Sequence, residues 1–357
     1  MNFTHSTKPH AGAKAADLAV RTLTPEMKTR WDDYVSSKEG ATFFHRAGWK
    51  EVIERAFGHE AKFLFAERDG RLCGILPLGH IRSRLFGNAL ISSPFCVYGG
   101  VVADDDAVAD VLIEAACDQA RALGVDYLEM RGRSPSRPDW PTKDLYVTFR
   151  KAIDPDPEKN MLNIPRKQRA MVRKGIKNGL SSEIDDDTGR FFDMYSTSVR
   201  NLGTPVLPRK YFRILKEVFA ADCEILTVIH EGNAVSSVIS FYFRDEVLPY
   251  YGGGDESARR LAANDFMYWE VMRRACERGC RVFDYGRSKQ GTGSYSFKKN
   301  WGFEPEPLYY QYYLVKAKEM PDINPLNPKY RLFVNLWKRL PLPVSRLVGP
   351  VLSRNLG

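Results

Sequence analysis

Apolar positions along the chain fall into short alternating runs and longer helical stripes, and their order occurs twice. The first copy opens with a run at Phe63 to Glu67, a tight turn at Asp69-Gly70 and a run at Leu72 to Leu78. The second has Ile225 to His230, Glu231-Gly232 and Ala234 to Phe243. Alternating runs flanking such a pair predict a β-hairpin in each copy. A strand ending in Tyr-Gly-Gly is expected next, at Tyr98-Gly99-Gly100 and at Tyr251-Gly252-Gly253. An amphipathic helix, a glycine and a further strand follow. In the first copy Val108, Val111, Leu112, Ala115, Ala116 and Leu123 mark the apolar face, ahead of Gly124 and the strand Val125 to Met130. In the second, Met267, Val271, Met272, Ala275 and Cys276 precede Gly279 and the strand Arg281 to Tyr285. Periodicity with a terminal glycine is the signature of a helix and its stop. Two copies of hairpin, helix and strand define an α/β protein of tandem units, with mixed sheets flanked by helices.

Around the repeat, Pro155 to Gly179 reads as one helix between the units, Arg190 to Ala220 as helices broken at Gly203-Thr204-Pro205, and Pro321 to Pro328 as a linker. The expected division is a disordered tail at 1–16, a first unit at 17–153, a second unit carrying the site at 154–320, and a linker with a basic amphipathic tail at 321–357. A length of 357 residues suits two domains, and 43% hydrophobic with 27% charged residues excludes a disordered chain. No apolar run reaches the ~18 residues of a membrane span, and Met1 to Ala16 lacks the apolar core of a signal peptide, so a cytoplasmic location is expected. The six cysteines form no CxxC pair and no metal-ligand spacing, which predicts buried thiols and no metal. His45 and His80 read as structural histidines.

Charge adds two candidate anion sites to a net +9. Six of the twelve residues from Arg166 to Lys177 are basic, and Arg166, Arg169, Arg173 and Lys177 lie on one helical stripe with Lys167 beside them. Such a stripe can track a phosphate backbone or a phosphorylated carrier, but no base-reading motif accompanies it, so sequence-specific DNA binding is not expected. No acid follows Asp322, whereas Lys329, Arg331, Lys338, Arg339, Arg346 and Arg354 do. Lys329 to Leu340 mixes aromatic, aliphatic and basic residues, and two readings stand open: peripheral contact with the inner face of an anionic membrane, or a terminal helix packed on the body.

The densest chemistry lies in Phe283-Asp284-Tyr285-Gly286-Arg287-Ser288, Gln290-Gly291-Thr292-Gly293 and Tyr295 to Phe303. It starts at the carboxyl end of a strand, where open α/β sheets bind ligands. Gly291 and Gly293 free backbone amides for an anion, and Ser294 is placed to cap a short helix bearing Tyr295, Lys298 and Lys299. A lysine here would stabilise an oxyanion as an amine attacks a carbonyl, with Asp284 orienting the nucleophile or accepting its proton. The alternative is a glycine loop with solvated lysines and an Asp284–Arg287 ion pair.

Asp284-Tyr285-Gly286-Arg287-Ser288, Gly291-Thr292-Gly293, Phe297-Lys298-Lys299-Asn300-Trp301-Gly302-Phe303 and Phe44-His45-Arg46-Ala47-Gly48-Trp49 together resemble the FemAB family over residues 40 to 316. The resemblance implies two GNAT-like units and aminoacyl-tRNA-dependent peptidyl transfer of the kind that extends peptidoglycan cross-bridges, with Lys298 at the transfer centre. The sequence also resembles a branch associated with exopolysaccharide and exosortase (PEP-CTERM) gene clusters. It lacks the long heptad arm of some cross-bridge enzymes, and has Trp301 where phenylalanine is frequent.

The expectation is amide formation on an amine of a cell-envelope precursor, with Lys298, Asp284 and Arg287 at the chemistry and Tyr250, Tyr251, Asn264, Gly291, Gly293, Tyr295 and Lys299 binding substrate. No tightly bound cofactor is expected, and the donor would be aminoacyl-tRNA or an acyl thioester. Asp104-Asp105-Asp106 in the first copy and Asp255-Glu256 in the second stand where acyl-CoA would need bare amides, which argues against CoA. The alternatives are an exopolysaccharide N-acyltransferase using acyl-CoA or acyl-carrier protein, and a non-catalytic GNAT-like anion-binding scaffold.

Overall fold

The computed structural model describes residues 18–83, 87–321 and 328–356, and the side chains among these except 328–331. The tail expected at 1–16 and most of the linker lie outside the described residues.

In chain order the first part comprises β1 (Leu18–Thr22), α1 (Lys28–Ser37), α2 (Gly48–Phe57), β2 (Glu60–Ala61), β3 (Leu64–Arg68), β4 (Arg71–Leu76), β5 (Leu78–Ser83), β6 (Gly87–Ser92), β7 (Val102–Ala103), α3 (Asp106–Leu123), β8 (Tyr127–Gly132), β9 (Thr142–Lys143) and β10 (Tyr146–Ala152). The second part begins with α4 (Pro157–Asn163), α5 (Arg166–Lys177), β11 (Ser181–Asp185), α6 (Gly189–Leu202), α7 (Arg209–Phe219), β12 (Cys223–His230), β13 (Asn233–Phe243) and β14 (Glu246–Gly254). It continues with α8 (Ser257–Leu261), α9 (Ala263–Glu277), β15 (Val282–Asp284), β16 (Ser288–Lys289), α10 (Gly293–Asn300), β17 (Pro305–Pro307), β18 (Tyr309–Leu314), α11 (Pro328–Lys338) and α12 (Leu342–Ser353).

Both expected hairpins form, β3–β4 and β12–β13. Their turns hold Asp69 and Gly70 at φ 52° and 74°, and Glu231 and Gly232 at φ 50° and 78°, the paired left-handed conformations of a two-residue hairpin turn. Gly124 and Gly279 end α3 and α9 at φ 57° and 77°, as the repeat predicts. Two expectations differ from the structure. Tyr251-Gly252-Gly253 lies in β14, but Tyr98-Gly99-Gly100 has left the sheet: the chain turns at Ser93 to Cys96, with Ser93 and Phe95 left-handed, and a Cβ on Gly99 would meet Ser93 at 2.3 Å. The helix expected over 155–179 is two helices, because Pro165 offers no N–H and holds Ile164 extended at ψ 130°.

Among the described residues the strands form a sheet of order β1-β3-β4-β7, one of order β2-β5-β6-β8-β18-β9, and a third of order β11-β12-β13-β14-β15-β10-β16 with β17 beside β10. Two strands are exchanged. β10, from the stretch expected in the first unit, pairs antiparallel with β15 of the second, and β18, from the stretch expected in the second, pairs antiparallel with β8 of the first. One aromatic core also crosses the junction: Phe43 stacks on Phe241 at 4.4 Å and lies 4.6 Å from Phe219, and Phe57 packs on Tyr211. The Phe44 to Trp49 motif therefore belongs to the join. His45 accordingly bonds Gly100 O and Thr42, and burial holds its pKa down at about 4, so it is neutral at pH 7. All six cysteines are buried free thiols, as expected.

Candidate active site

β14 and β15 run parallel but pair only at Glu246–Val282 and Val247–Phe283. Beyond that register the strands part, and a cavity of about 460 Å³ lies between Pro249–Gly252 on one side and Tyr285–Arg287 on the other. The opening of a sheet at strand carboxyl ends is where ligands enter α/β folds.

A β-bulge shapes one wall. Ile239 faces Tyr251 and Ser240 faces Pro249, which leaves Tyr250 as the extra residue. Adjacent residues of a regular strand point to opposite faces, and the bulge lets both tyrosines line the cavity. Tyr251 Oη lies 2.9 Å from Tyr211 Oη, and Tyr250 Oη donates to Phe95 O at 3.2 Å.

The opposite wall is built by a short turn. Asp284 accepts from the amide of Gly286 at 2.7 Å, and Gly286 takes φ 64°, reversing the chain so that the carbonyls of Gly286 and Arg287 face α10. Lys298 Nζ donates to both, at 2.9 and 3.0 Å. The lysine is only 9% exposed, and burial lowers its pKa to about 7 against the opposing pull of Asp284. Phe297-Lys298-Lys299-Asn300-Trp301-Gly302-Phe303 explains this placement. Trp301 and Phe303 are buried, and Trp301 Nε1 donates to Asp265 on α9 at 3.0 Å, clamping the end of α10. Thr292, rather than the expected Ser294, caps α10 by accepting from Tyr295 N.

Asp284 is fully enclosed. The anticipated Asp284–Arg287 ion pair is replaced by Arg150, whose Nε lies 3.2 Å away, and the carboxylate also accepts from Tyr98 Oη at 2.9 Å and Thr148 Oγ1 at 3.3 Å. Arg150 pairs on its other side with Glu246. Arg287 is instead exposed, donating to Tyr310 Oη at 3.1 Å and lying over the ring of Tyr146 at 4.7 Å. Together with Arg131 and Leu356 it separates the Lys298 cavity from a second one of about 410 Å³, which Lys143, Lys289 and Tyr127 also line. Burial beside Arg287 lowers the pKa of Lys289 to about 8.

The structure thus brings Lys298, Arg287, Tyr250 and Tyr251 to one cavity, with Asp284 behind its wall. Tyr295 packs on Phe149 in the core, whereas Gly291, Gly293, Lys299 and Asn264 are exposed and outside the cavity wall. Asn264 does not cap α9, which starts from a left-handed Ala262. The sequence reading missed Tyr98, Thr148, Arg150, Arg131 and the C-terminal Ser353 and Leu356; only Tyr98 stood in a motif. Arg166, Arg169, Arg173 and Lys177 do share one face of α5, with an exposed Lys167 on the same helix, and among the described residues no carboxylate pairs with any of them.

Two mixed α/β units joined by a shared core, with a cavity where parallel strands part, define a tandem GNAT fold. Residues 166–299, from α5 to the lysine motif, match the family model of an acetyltransferase (GNAT) domain. The crystal structure of FemX is similar, with a TM-score of 0.66 at 16% identity, covering 88% of this chain and 100% of that one. So is a tandem GNAT protein from the clavulanic acid biosynthesis pathway, with a TM-score of 0.54 at 13% identity, covering 85% of this chain and all of that one. The C-terminal domain of a putative lysylphosphatidylglycerol synthetase from Agrobacterium fabrum has a TM-score of 0.54 at 13% identity, with 80% and 92% covered. No curated protein matches the sequence. The fold is accordingly FemAB-like.

Proposed function

We propose that this protein is an acyltransferase that forms an amide on an amine of a cell-envelope precursor, with aminoacyl-tRNA as donor. The observation that carries the reading is Lys298: a buried ammonium lining the cavity, two of its N–H groups held by the Gly286 and Arg287 carbonyls and the third left for a ligand. The acceptor nitrogen attacks the ester carbonyl, a C–N bond forms, and the carbonyl electron pair moves onto oxygen, where the free N–H of Lys298 meets it. Collapse breaks the C–O bond, and the proton shed by the nitrogen ends on the leaving oxygen. Tyr250 and Tyr251 line the substrate's path, Arg287 meets its anionic portion, and Asp284 positions the turn that aims the two carbonyls.

Two further features support a donor other than CoA. Asp105 accepts from Val108 N at the start of α3, and Asp255 accepts from the amides of Ser257 and Ala258 before α8. Amides already used by carboxylates are poor pyrophosphate sites. The unpaired stripe on α5 suits the phosphate backbone of a charged tRNA. Reversing Arg169 and Arg173 to glutamate is expected to weaken competition by bulk tRNA and to flatten its salt dependence, by a slope of about 0.7 per lost phosphate contact.

The match to an acetyltransferase domain supports a second reading, transfer from an acyl thioester to an amino sugar of an exopolysaccharide. A mass-spectrometric donor screen offering charged tRNA, acyl-CoA and acyl-carrier protein with an extract of amine-bearing envelope precursors separates the two. Transfer from charged tRNA that depends on Lys298 supports the first, transfer from a thioester the second, and none from any donor favours an anion-binding scaffold.

The protonated form of Lys298 is the active one in this scheme, which fixes the pH profile. Below about 7 the lysine stays charged and kcat/KM rises with the free acceptor amine. Between about 7 and the amine's own pKa, loss of the lysine proton offsets gain of free amine, and a plateau is expected. A rate that keeps climbing across this window would rule out protonated Lys298 as the active form.

A further inference from the structure

The last two helices are seated on the body, and α12 by an unusual face. α11 and α12 both pack against α6. The buried residues of α12 are Ser345, Gly349 and Ser353, spaced four apart on one stripe. The seat is close: a Cβ on Gly349 would meet Val206 at 2.8 Å, and Ser353 Oγ donates to Val206 O. Arg346 fixes the helix laterally through Asp193 and Ser196. The apolar side chains of the same helix therefore face outward. Leu347 is 77% and Val351 64% exposed, with Val344 and Val348 beside them on a stripe of three- and four-residue spacing. α11 is seated by the buried Trp337 and adds two exposed leucines, Leu332 at 62% and Leu336 at 57%.

A helix on a water-soluble surface buries its apolar stripe and shows its polar one. α12 does the reverse, and an exposed apolar surface of this kind marks a site that something covers. Charge decides the occupant. Lys338 and Arg339 are exposed at the turn between the helices, with no ion-pair partner among the described residues, and no acid follows Asp322 in the sequence. A second copy would set two such acid-free basic stretches face to face. Apolar side chains rimmed by lysine and arginine instead complement the headgroup boundary of an anionic bilayer.

We infer that the α11–α12 hairpin is a membrane-docking surface that inserts Leu347, Val351, Leu332 and Leu336 at an anionic lipid interface. Among the described residues no helix is long and apolar enough to cross a membrane, so the contact is peripheral. Docking also places the cavities. Ser353 and Leu356, at the end of α12, line the Lys298 cavity, and Asn355 and Leu356 line its neighbour. The segment that ends the docked helix thus lines both cavities, which ties docking to the place where a lipid-anchored acceptor would be received.

Sedimentation of the full chain with vesicles of equal parts phosphatidylglycerol and phosphatidylcholine tests this with no acyl donor present, so the result is independent of the proposed reaction. Wild type is expected to sediment with these vesicles and to stay in solution with pure phosphatidylcholine. The double substitution Leu347→Gln and Val351→Gln should reduce partitioning by at least about tenfold. Lys338→Glu with Arg339→Glu should weaken binding and remove its salt dependence. All four side chains are exposed, so matching circular-dichroism melts are expected. Equal partitioning of wild type and Leu347→Gln/Val351→Gln, equal binding to neutral vesicles, or a dimer by light scattering that the same pair of substitutions converts to monomer would each overturn the inference.

Discussion

Substituting Lys298 by methionine is expected to lower turnover by about 100- to 1,000-fold, the effect of removing one well-placed donor to a developing oxyanion. Methionine keeps the unbranched stem within α10 and removes the charge. The fold should gain by it. Lys298 titrates near 7 in the folded protein and at its ordinary, higher value when unfolded. Between these two values the unfolded chain holds more protons, so stability rises with pH from about 7 upward and is lost as pH falls toward 7. At neutral pH the wild type therefore carries the cost of a buried ammonium, and Lys298→Met should melt no earlier. The gap between the two melting temperatures should narrow as pH is raised from about 7 toward 10, the range in which the wild-type lysine is neutral when folded and still charged when unfolded. Turnover that survives the substitution would remove Lys298 from the chemistry. An unfolded variant would be visible in the same melt.

Asp284→Ala should act in the opposite sense on stability, costing about 3 kcal/mol through the loss of a fully buried paired carboxylate. Three separate segments converge on this group: Tyr98 from the loop of the first unit, Thr148 and Arg150 from the exchanged strand β10, and the Gly286 amide of the turn that holds Lys298. Glu246 continues to partner Arg150 after the substitution, which places the cost at the lower end for a broken buried pair. Urea titration should show a lower midpoint with an unchanged slope. Activity should fall as well, because the carbonyls that aim Lys298 lose their anchor. A midpoint equal to wild type would mean the network contributes nothing net to folding.

The tandem architecture was legible because hairpin turns and helix stops are local. Asp69-Gly70, Glu231-Gly232, Gly124 and Gly279 each impose their conformation through a few neighbouring residues, and all behave as the pattern predicts. The departure of Tyr98-Gly99-Gly100 from the sheet had one local signal, the turn-favouring Ser93-Pro94, which the repeat pattern overrode, whereas left-handed Phe95 gives none. Lys298 was legible as chemistry from its motif, but its depressed pKa depends on burial in the folded protein, over the ring of Phe149, which no spacing reveals. Arg150 illustrates the same limit more sharply. It sits in a strand expected to belong to the other unit, and only strand pairing brings it against Asp284. Gly291, Gly293 and Lys299 read as ligand groups by residue type, yet the turn directs them to solvent.

The exchange of β10 and β18 has a consequence for synthesis. As the chain leaves the ribosome, the amino-terminal unit has most of its sheet after Gly132 but waits for Tyr309–Leu314 to pair with β8. Nearly the whole of the second unit must therefore be made before the first can close. Until then the free edge of β8 is open to pairing with other nascent chains, the hazard of any unprotected strand. Neither unit can be produced alone with a complete sheet, and a cut between them divides both.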